Sequence, residues 1–299
     1  MYTTLNLTSP IRGINHCGHI GHQVDDIQTV CDLARRHGFA GVNLDFNAFG
    51  SLDLEDVAAL LSGHGLRPAS FGLSADLFGS QASFEASLEE FEQHALLAET
   101  LQCGVALCYL PPFSEEMGYS ELFLQTSQRL LQLKPILTRH QIKIGFEFIG
   151  PTTTRLHSRH DFIHTIDGTK ALIACADLQE WAGFKLDVHH WQNSGAGSLD
   201  LQHLAPDSIL YVELNDGLPG HTIFTMPEFE RELPLSTGVT RVEEFLWGLH
   251  RHGYDGPVVV EPWNALIAAL PLEDAIQRVK ASLDQCLALL APAQPHTPP

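Results

Sequence analysis

The sequence is poor in basic residues. Its 299 residues include 17 Lys and Arg against 36 Asp and Glu, which gives a formal net charge of −19 at pH 7. A field of this sign repels nucleic acid phosphates and anionic membrane surfaces, so we expect neither as a partner. An anionic substrate would need a local Arg, Lys or metal ion, and a neutral sugar or polyol therefore fits at least as well as a sugar phosphate.

The sequence also lacks paired cysteine motifs and long hydrophobic runs. Its six cysteines include no CxxC pair, and four of them fall within apolar strand-like or helix-like patterns, which indicates free thiols in a reducing compartment. No apolar stretch approaches the ~18 residues of a membrane span. The start MYTTLNLTSP has no basic and then apolar signal segment. We therefore predict a cytoplasmic protein.

Short apolar runs typical of β-strands alternate with helix-like segments along the chain. The predicted strands are residues 11–15, 40–46, 66–73, 103–110, 142–149, 182–188, 208–214 and 256–262. Between them the apolar spacing becomes helical, as at Ile27, Val30, Cys31 and Ala34. Strands that are apolar on both faces and joined by amphipathic helices are typical of a parallel sheet.

Eight such units predict a single-domain (β/α)8 TIM barrel, an α/β fold, over residues 1–290. An open doubly wound sheet is the alternative, but it would be large, and no GxGxxG follows the first predicted strand. The remaining residues 291–299, APAQPHTPP, are rich in Pro and are predicted to form a disordered tail.

Four acidic residues end the last four predicted strands, in the runs IKIGFEF, GFKLD, ILYVEL and PVVVEPW. They are Glu147, Asp187, Glu213 and Glu261. Acidic side chains are almost never buried without a partner, and the carboxyl ends of parallel barrel strands converge on one face. Neighbouring strands lie under ~5 Å apart, so four consecutive strand ends can surround one ion. An all-oxygen ligand set favours Mg²⁺ or Mn²⁺.

Such a site has a definite chemistry. A metal that binds a carbonyl and an adjacent hydroxyl oxygen acidifies the neighbouring carbon and stabilises the enediolate that forms. One carboxylate removes a proton from that carbon, and a second returns a proton. Epimerisation and aldose–ketose isomerisation differ only in where the proton returns, whereas loss of a β-hydroxyl from the same intermediate makes the enzyme a dehydratase.

The stretches GFEFIGP, GFKLDVHHWQNSG, LYVELNDG, RELPLSTG and GYDGPVVVEPW resemble the xylose-isomerase-like barrel superfamily of sugar phosphate isomerases and epimerases. The likeness covers residues 140–263, and the first half of the chain is similar only in strand order. It implies one divalent cation held by the residues that match Glu147, Asp187, Glu213 and Glu261. Mn or Mg is expected, with Zn or Co as alternatives. The first and last glutamates of this set also act as the acid/base pair in epimerases of the group.

The resemblance also implies three substrate-binding residues. His190, third after Asp187, matches a histidine that contacts substrate oxygens beside the metal. Arg231 of RELP and Arg155 after GFEFIGP match positions where relatives often carry arginines near the substrate.

Two further candidates come from the residues themselves. His16 lies in NHCGHIGH, which we expect to form the first βα loop with His16 facing substrate; a separate zinc site in this cluster is the alternative. Trp191 and Trp263 follow catalytic-looking positions, where an aromatic wall against a sugar ring and ordinary core packing are equally expected.

One position departs from the family pattern. Relatives usually carry His or Gln where this chain has Glu213 in YVELND. Four carboxylates around one divalent cation leave a net charge near −2. We therefore expect either a proton on one of them or Glu213 turned away from the ion.

The sequence thus predicts a metal-dependent isomerase or epimerase of a small ketose, polyol ketone or sugar phosphate, with a homo-oligomer possible. A dehydratase of a cyclic polyol ketone on the same site is the closest alternative. A metal nuclease similar to endonuclease IV would need histidines on strands three and four, where the sequence has none. A metal-free barrel that only binds a ligand is the third alternative.

Overall fold

The computed structural model describes residues 1–7, 20–49, 52–205 and 207–291. Within these ranges the strands are β1 Tyr2–Leu5, β2 Gly41–Leu44, β3 Arg67–Gly72, β4 Val105–Leu110, β5 Phe113–Ser114, β6 Lys143–Phe148, β7 His160–Asp161, β8 Ala182–Asp187, β9 Ile209–Leu214 and β10 Pro257–Val260. The helices are α1 Ile27–Arg36, α2 Leu54–His64, α3 Gln81–Thr100, α4 Tyr119–His140, α5 Ile166–Cys175, α6 Val188–Asn193, α7 Ser198–Gln202, α8 Val242–His252, α9 Ala265–Ala268 and α10 Leu272–Ala288.

Eight of the strands form a closed parallel barrel in the order β1-β10-β9-β8-β6-β4-β3-β2. β1 closes it, since Tyr2 pairs with Pro257 of β10 on one side and Thr4 pairs with Gly41 of β2 on the other. The remaining strands, β5 and β7, pair with each other outside the barrel. The predicted (β/α)8 TIM barrel is confirmed.

The first strand lies earlier than the sequence predicted. The first described barrel strand is β1, and the predicted strand at residues 11–15 lies outside the described residues. Thr3 and Thr4 are buried in the barrel wall. Threonine is β-branched and suits a strand, but its hydroxyl breaks the continuous apolar run by which the other strands are recognised. The apolar pattern therefore did not predict β1.

The helices cover the barrel with their apolar faces, as their periodicity predicts. In α1 the buried side chains include Ile27, Val30 and Ala34, and the carboxylate of Asp26 caps its start by accepting from the Thr29 amide. Gly253 ends α8 with φ of 84°, a left-handed conformation that costs glycine little. The helices thereby cover the outer side of the barrel, and the loops that follow the strands lie at its ends.

Within the described residues, no helix is both long enough and apolar enough to cross a membrane. The cysteines in this part of the chain, Cys31, Cys103, Cys108, Cys175 and Cys286, are free thiols. The predicted tail lies outside the described residues except for its first residue, Ala291.

Candidate active site

The four strand-end acids meet at the carboxyl end of the barrel. Glu147 lies in β6, Asp187 ends β8, Glu213 lies in β9, and Glu261 directly follows β10. Asp187 and Glu213 are register partners on adjacent strands. Each of the four offers an oxygen within 4.8 Å of the others, and all four side chains are buried. The convergence expected of neighbouring strand ends is present.

Lys185 lies among these acids and was not anticipated from the sequence. Its Nζ is 2.8 Å from Glu147 Oε2 and 2.9 Å from Glu213 Oε2, and the residue is 2% exposed. Burial lowers the pKa of Lys185, but the surrounding carboxylates raise it well above its usual value, so the side chain is a cation. The signal was available, because Lys185 precedes Asp187 by two residues in the same strand and must share its inward face.

Arg231 is the second cation of the cluster. Its Nη1 donates to Asp187 Oδ2 at 2.8 Å and to Glu261 Oε2 at 2.6 Å. Its Nη2 donates to Glu228 Oε1 at 2.6 Å, and its Nε donates to the Glu228 carbonyl at 2.9 Å. Lys185 and Arg231 therefore each join two of the four strand-end acids.

Glu228 is a fifth buried carboxyl group, in the loop between β9 and α8. Its side chain is 10% exposed. Oε1 accepts from Arg231, whereas Oε2 accepts no hydrogen bond from the described residues. Burial raises the pKa of Glu228 to about 8; the Arg231 charge opposes this shift, and Asp187 and Glu261 add to it. No periodic pattern marks this loop residue, which is why sequence reasoning missed it.

His190 is held between two of these carboxyl groups. Its Nε2 is 3.5 Å from Glu147 Oε1 and 3.6 Å from Glu228 Oε1, and its Nδ1 accepts from the Gly150 amide at 3.4 Å. Burial, reinforced by the nearby Arg231 charge, lowers the pKa of His190 well below its usual value, so the ring is neutral. Its Nε2–H is then available to donate.

The local chain path places His189 on the same side. Alternation along a strand would turn His189 away from His190, but α6 begins at Val188, directly after the strand. Both histidines are buried, and their rings lie 5.6 Å apart. His189 Nε2 is 3.8 Å from Glu228 Oε2.

The cluster carries excess negative charge. Five carboxyl groups, the four strand-end acids and Glu228, face two cations, which gives a formal −3. Asn215 Nδ2 donates to both oxygens of Asp187 at 3.1 Å. Even so, burial raises the pKa of Asp187 to about 7; Arg231 lowers it, while Glu261 and Glu213 raise it further.

These residues fit a divalent cation. The four strand-end acids supply only oxygen atoms, and Glu147, Asp187 and His190 form a second set whose ligand atoms also lie within 4.8 Å of one another. An ion of charge +2 would reduce the formal excess from −3 to −1. Lys185 supplies a compensating charge beside Glu213, so the excess charge that led us to expect a proton on one of the four acids, or Glu213 turned away, is partly offset.

A cavity of about 390 Å³ opens above this cluster. It is lined by Tyr109, Pro112, Phe113, Glu147, Ile149, Thr154, His190, Glu228, Phe229, Arg231, Glu261 and Trp263. Of the four strand-end acids, Glu147 and Glu261 therefore line the cavity. Asp187 and Glu213 lie outside the lining and are 1% and 0% exposed.

Two other predicted substrate-binding residues, Trp191 and Arg155, do not line this cavity. Trp191 is buried against Phe245, with ring centres 5.1 Å apart, and does not line the cavity. Arg155 Nη1 donates to the carbonyls of Gly150 and Pro151, so it binds its own loop. His16 lies outside the described residues.

Of the two tryptophans considered for an aromatic wall, Trp263 lines the cavity, together with Phe229. Trp263 meets Phe229 edge to face, with ring centres 5.3 Å apart, and both line the cavity. Trp263 has φ of 42°, a left-handed conformation that is strained for a tryptophan and turns the chain directly after Glu261.

A search of the curated proteins found no match. Among solved structures, a xylose isomerase domain protein from Alicyclobacillus acidocaldarius subsp. acidocaldarius is 26% identical, with a TM-score of 0.77 over 88% of this chain and 93% of that one. The IolI protein with a bound zinc atom is 16% identical, with a TM-score of 0.77 over 96% and 98%. D-psicose 3-epimerase from Clostridium cellulolyticum H10, solved with D-tagatose, is 12% identical, with a TM-score of 0.71 over 98% and 100%.

The family model described as the xylose isomerase-like TIM barrel matches residues 31–286, which is most of the chain. This range contains nine of the ten strands and every residue of the acidic cluster. The chain belongs to the xylose isomerase-like TIM barrel family.

Proposed function

We propose that this protein is a divalent-metal-dependent isomerase or epimerase of a small ketose or polyol ketone. One observation carries the proposal: of the four converging strand-end acids, the two that line the cavity are Glu147 and Glu261, the pair expected to move protons. The similarity in fold to D-psicose 3-epimerase supports the same reaction class.

Proton transfer is assigned to these two glutamates. β6 and β10 are separated in the barrel by β8 and β9, so the two carboxyl groups reach the cavity from different parts of its wall. One removes a proton from the carbon next to the substrate carbonyl, and the other returns a proton to the opposite face or to the neighbouring carbon. A bound divalent cation supplies the polarisation that makes this carbon acidic.

The cations and His190 position the proton-transfer groups. Lys185 Nζ contacts one oxygen of Glu147, and Arg231 Nη1 donates to one oxygen of Glu261, and these contacts fix the orientation of both carboxyl groups at the cavity wall. Neutral His190 can donate from Nε2 to a substrate oxygen in the same cavity. Burial of the whole set keeps water away from the acidified carbon.

Four carboxylates, Glu147, Asp187, Glu213 and Glu261, are proposed to hold the ion. Their oxygen atoms favour Mn²⁺ or Mg²⁺. The second set, which includes His190, and the zinc atom in the similar IolI structure support Zn²⁺ or Co²⁺ as alternatives.

A dehydratase is the second candidate, and Glu228 favours it. This buried carboxyl group lines the cavity, and its raised pKa of about 8 keeps it protonated at neutral pH. A glutamate base could take the proton from the carbon while the electron pair forms a C=C bond. The β-hydroxyl would accept the Glu228 proton and leave as water.

The test is a screen of unphosphorylated and phosphorylated ketoses and inososes in D₂O, with protein stripped by chelation and then reloaded with Mn²⁺. Proton NMR detects an isomer or epimer that carries deuterium at the reacting carbon, which is the expected result. New ultraviolet absorbance from a conjugated enone would identify the dehydratase instead. Elemental analysis verifies that chelation has removed the metal. Turnover that is equal before and after this treatment would contradict the metal-dependent mechanism.

The remaining sequence predictions concern partners and location. Absence of cleavage of an abasic-site duplex is expected, since a phosphodiester would enter a cavity with three carboxyl groups in its lining. A cytoplasmic location and a possible homo-oligomer stay predictions.

A further inference from the structure

The cavity offers little positive charge to a substrate phosphate. Among the described lining residues, Arg231 is the one permanently charged cation. Its hydrogen bonds already go to Asp187, Glu261 and Glu228. Four of its five N–H groups donate to these three residues, which leaves at most one for a phosphate dianion, and that dianion would lie beside a cluster with excess negative charge.

Glu228 instead offers the cavity an oxygen that can bind a substrate hydroxyl group. Its Oε2 is buried, accepts no hydrogen bond from the described residues, and belongs to a side chain that lines the cavity. A buried oxygen without a hydrogen bond destabilises the site, and a ligand that forms a hydrogen bond with it removes that cost. A substrate hydroxyl group can donate to this oxygen when Glu228 is ionised and accept from it when Glu228 is protonated, whereas a phosphate dianion, which has only acceptor oxygens, is repelled by the ionised form.

The rest of the lining suits a compact polyol. About 390 Å³ is at the small end of the range, roughly 300–1,000 Å³, for small-molecule sites. Tyr109, Phe113, Phe229 and Trp263 contribute apolar surface for the C–H faces of a sugar or polyol. The polar groups Glu147, Glu228 and His190 serve its hydroxyls and carbonyl.

We propose that Glu228 is the specificity residue of this cavity: it binds a hydroxyl of an uncharged polyhydroxy ketone and, by engaging Arg231, excludes phosphorylated substrates. That the ligand is a ketone rests on the proposed function. The preference for uncharged over phosphorylated ligands concerns binding and does not require turnover. Glu228 then acts on specificity in two ways. It binds a substrate hydroxyl group, and it occupies N–H groups of Arg231 that would otherwise be available to a phosphate.

The test measures affinity by isothermal titration calorimetry on the full chain loaded with Mn²⁺. The probes are D-fructose, D-tagatose and 2-keto-myo-inositol, with D-fructose 6-phosphate and D-tagatose 6-phosphate as the phosphorylated counterparts. The variants are Glu228→Ala and Glu228→Gln. Glu230 is an exposed residue two positions away in the same loop, and Glu230→Gln is the matched control for the Glu→Gln substitution. Thermal unfolding and Mn²⁺ affinity establish that each variant keeps its fold and its ion.

In the unmodified protein, at least one unphosphorylated probe should bind, and each phosphorylated probe should bind at least tenfold more weakly than its counterpart. Glu228→Ala should weaken the unphosphorylated probe at least tenfold and strengthen the phosphorylated one, because Arg231 Nη2 is released. Glu228→Gln should shift the ratio in the same direction, and Glu230→Gln should leave it unchanged.

Three outcomes would overturn the inference: equal or tighter binding of the phosphorylated probes, no binding of any unphosphorylated probe, or variants at Glu228 that behave as Glu230→Gln does. An unphosphorylated probe that binds in a Glu228-dependent way but is not turned over would contradict the proposed function alone.

Discussion

At the scale of single residues, Lys185 is the feature that most distinguishes this site. Glu213 adds a carboxylate to the other strand-end acids, and this carboxylate is matched by an ammonium group 2.9 Å away. A buried charge is tolerated only with a partner, so the two residues depend on each other. Lys185 also holds Glu147, and the same ammonium therefore competes with any cation that binds these carboxylates.

Replacing Lys185 with methionine should separate these effects. The variant leaves Glu147 and Glu213 without their cation, so the free energy of unfolding of the metal-free protein should fall by about 3–5 kcal/mol. Affinity for Mn²⁺ should rise at least tenfold, because the ion no longer displaces an ammonium. Urea unfolding and calorimetry measure the two quantities, with Lys170→Met, an exposed residue, as the control. Unchanged or weaker Mn²⁺ binding would refute this role.

The raised pKa of Glu228 predicts a dependence of stability on pH. The folded protein holds this carboxyl group at about 8 against an ordinary value of 4.5, so folding favours its protonated form. Its contribution is complete below pH 4.5 and is lost as the pH rises through about 8. The metal-free protein should therefore lose about 1–3 kcal/mol of unfolding free energy between pH 6 and 9. Urea unfolding should show a shallower decline in Glu228→Gln than in Glu230→Gln; identical slopes would be inconsistent with the shift.

At the scale of elements, the loop between β9 and α8 carries Glu228 and Arg231 and depends on one carboxylate. Asp216 is fully buried and accepts backbone amides of Gly217 and Thr240 through Oδ1. Through Oδ2 it accepts those of Thr237 and Gly238. Its own backbone pairs with Glu232, next to Arg231.

Asp216→Ala should release this loop. Loss of the carboxylate leaves four amides without their acceptor, so the free energy of unfolding should fall by about 2–4 kcal/mol. Arg231 should also lose its fixed position. Limited proteolysis should then cut within residues 217–240 faster than in the unmodified protein, while Asp207→Ala, an exposed control, should not differ. Equal protease resistance in both variants would show that other contacts hold the loop.

The elements differ in how far sequence predicts them. The strands that carry Glu147, Asp187 and Glu213 are apolar on both faces and end in an acid, so their position and the convergence of the acids followed from pattern alone. The pattern did not predict β1, because its threonines interrupt the apolar run. The loop with Glu228 has no repeating pattern, and its path is set by hydrogen bonds to Asp216 that no local sequence rule describes.

At the scale of the whole molecule, the main feature is an excess of negative charge. The chain carries a formal −19, and its barrel concentrates a further excess of buried carboxyl groups at one end. Hydrophobic packing of helices on the closed barrel holds these groups together. The molecule thereby presents a buried acidic cluster that could hold a divalent cation and that disfavours anions.

Cation binding should therefore stabilise the whole fold. At a free Mn²⁺ concentration 100 times its dissociation constant, the gain is about 2.7 kcal/mol, which corresponds to a rise of about 5 °C in Tm for a domain of this size. Differential scanning calorimetry of the stripped and reloaded protein measures the shift. The double variant Asp187→Asn and Glu213→Gln should lose most of it; a Tm that does not change with Mn²⁺ would argue against the ion site.

The most direct test of the central claim is turnover by Glu261→Gln at saturating Mn²⁺, using the substrate identified by the screen in D₂O. Glutamine keeps the size of the side chain and a hydrogen-bonding oxygen but cannot take up a proton. The variant should keep the circular dichroism spectrum of the unmodified protein and lose both product formation and deuterium incorporation at the substrate carbon. Turnover at the rate of the unmodified protein would contradict the assignment of Glu261 to proton transfer.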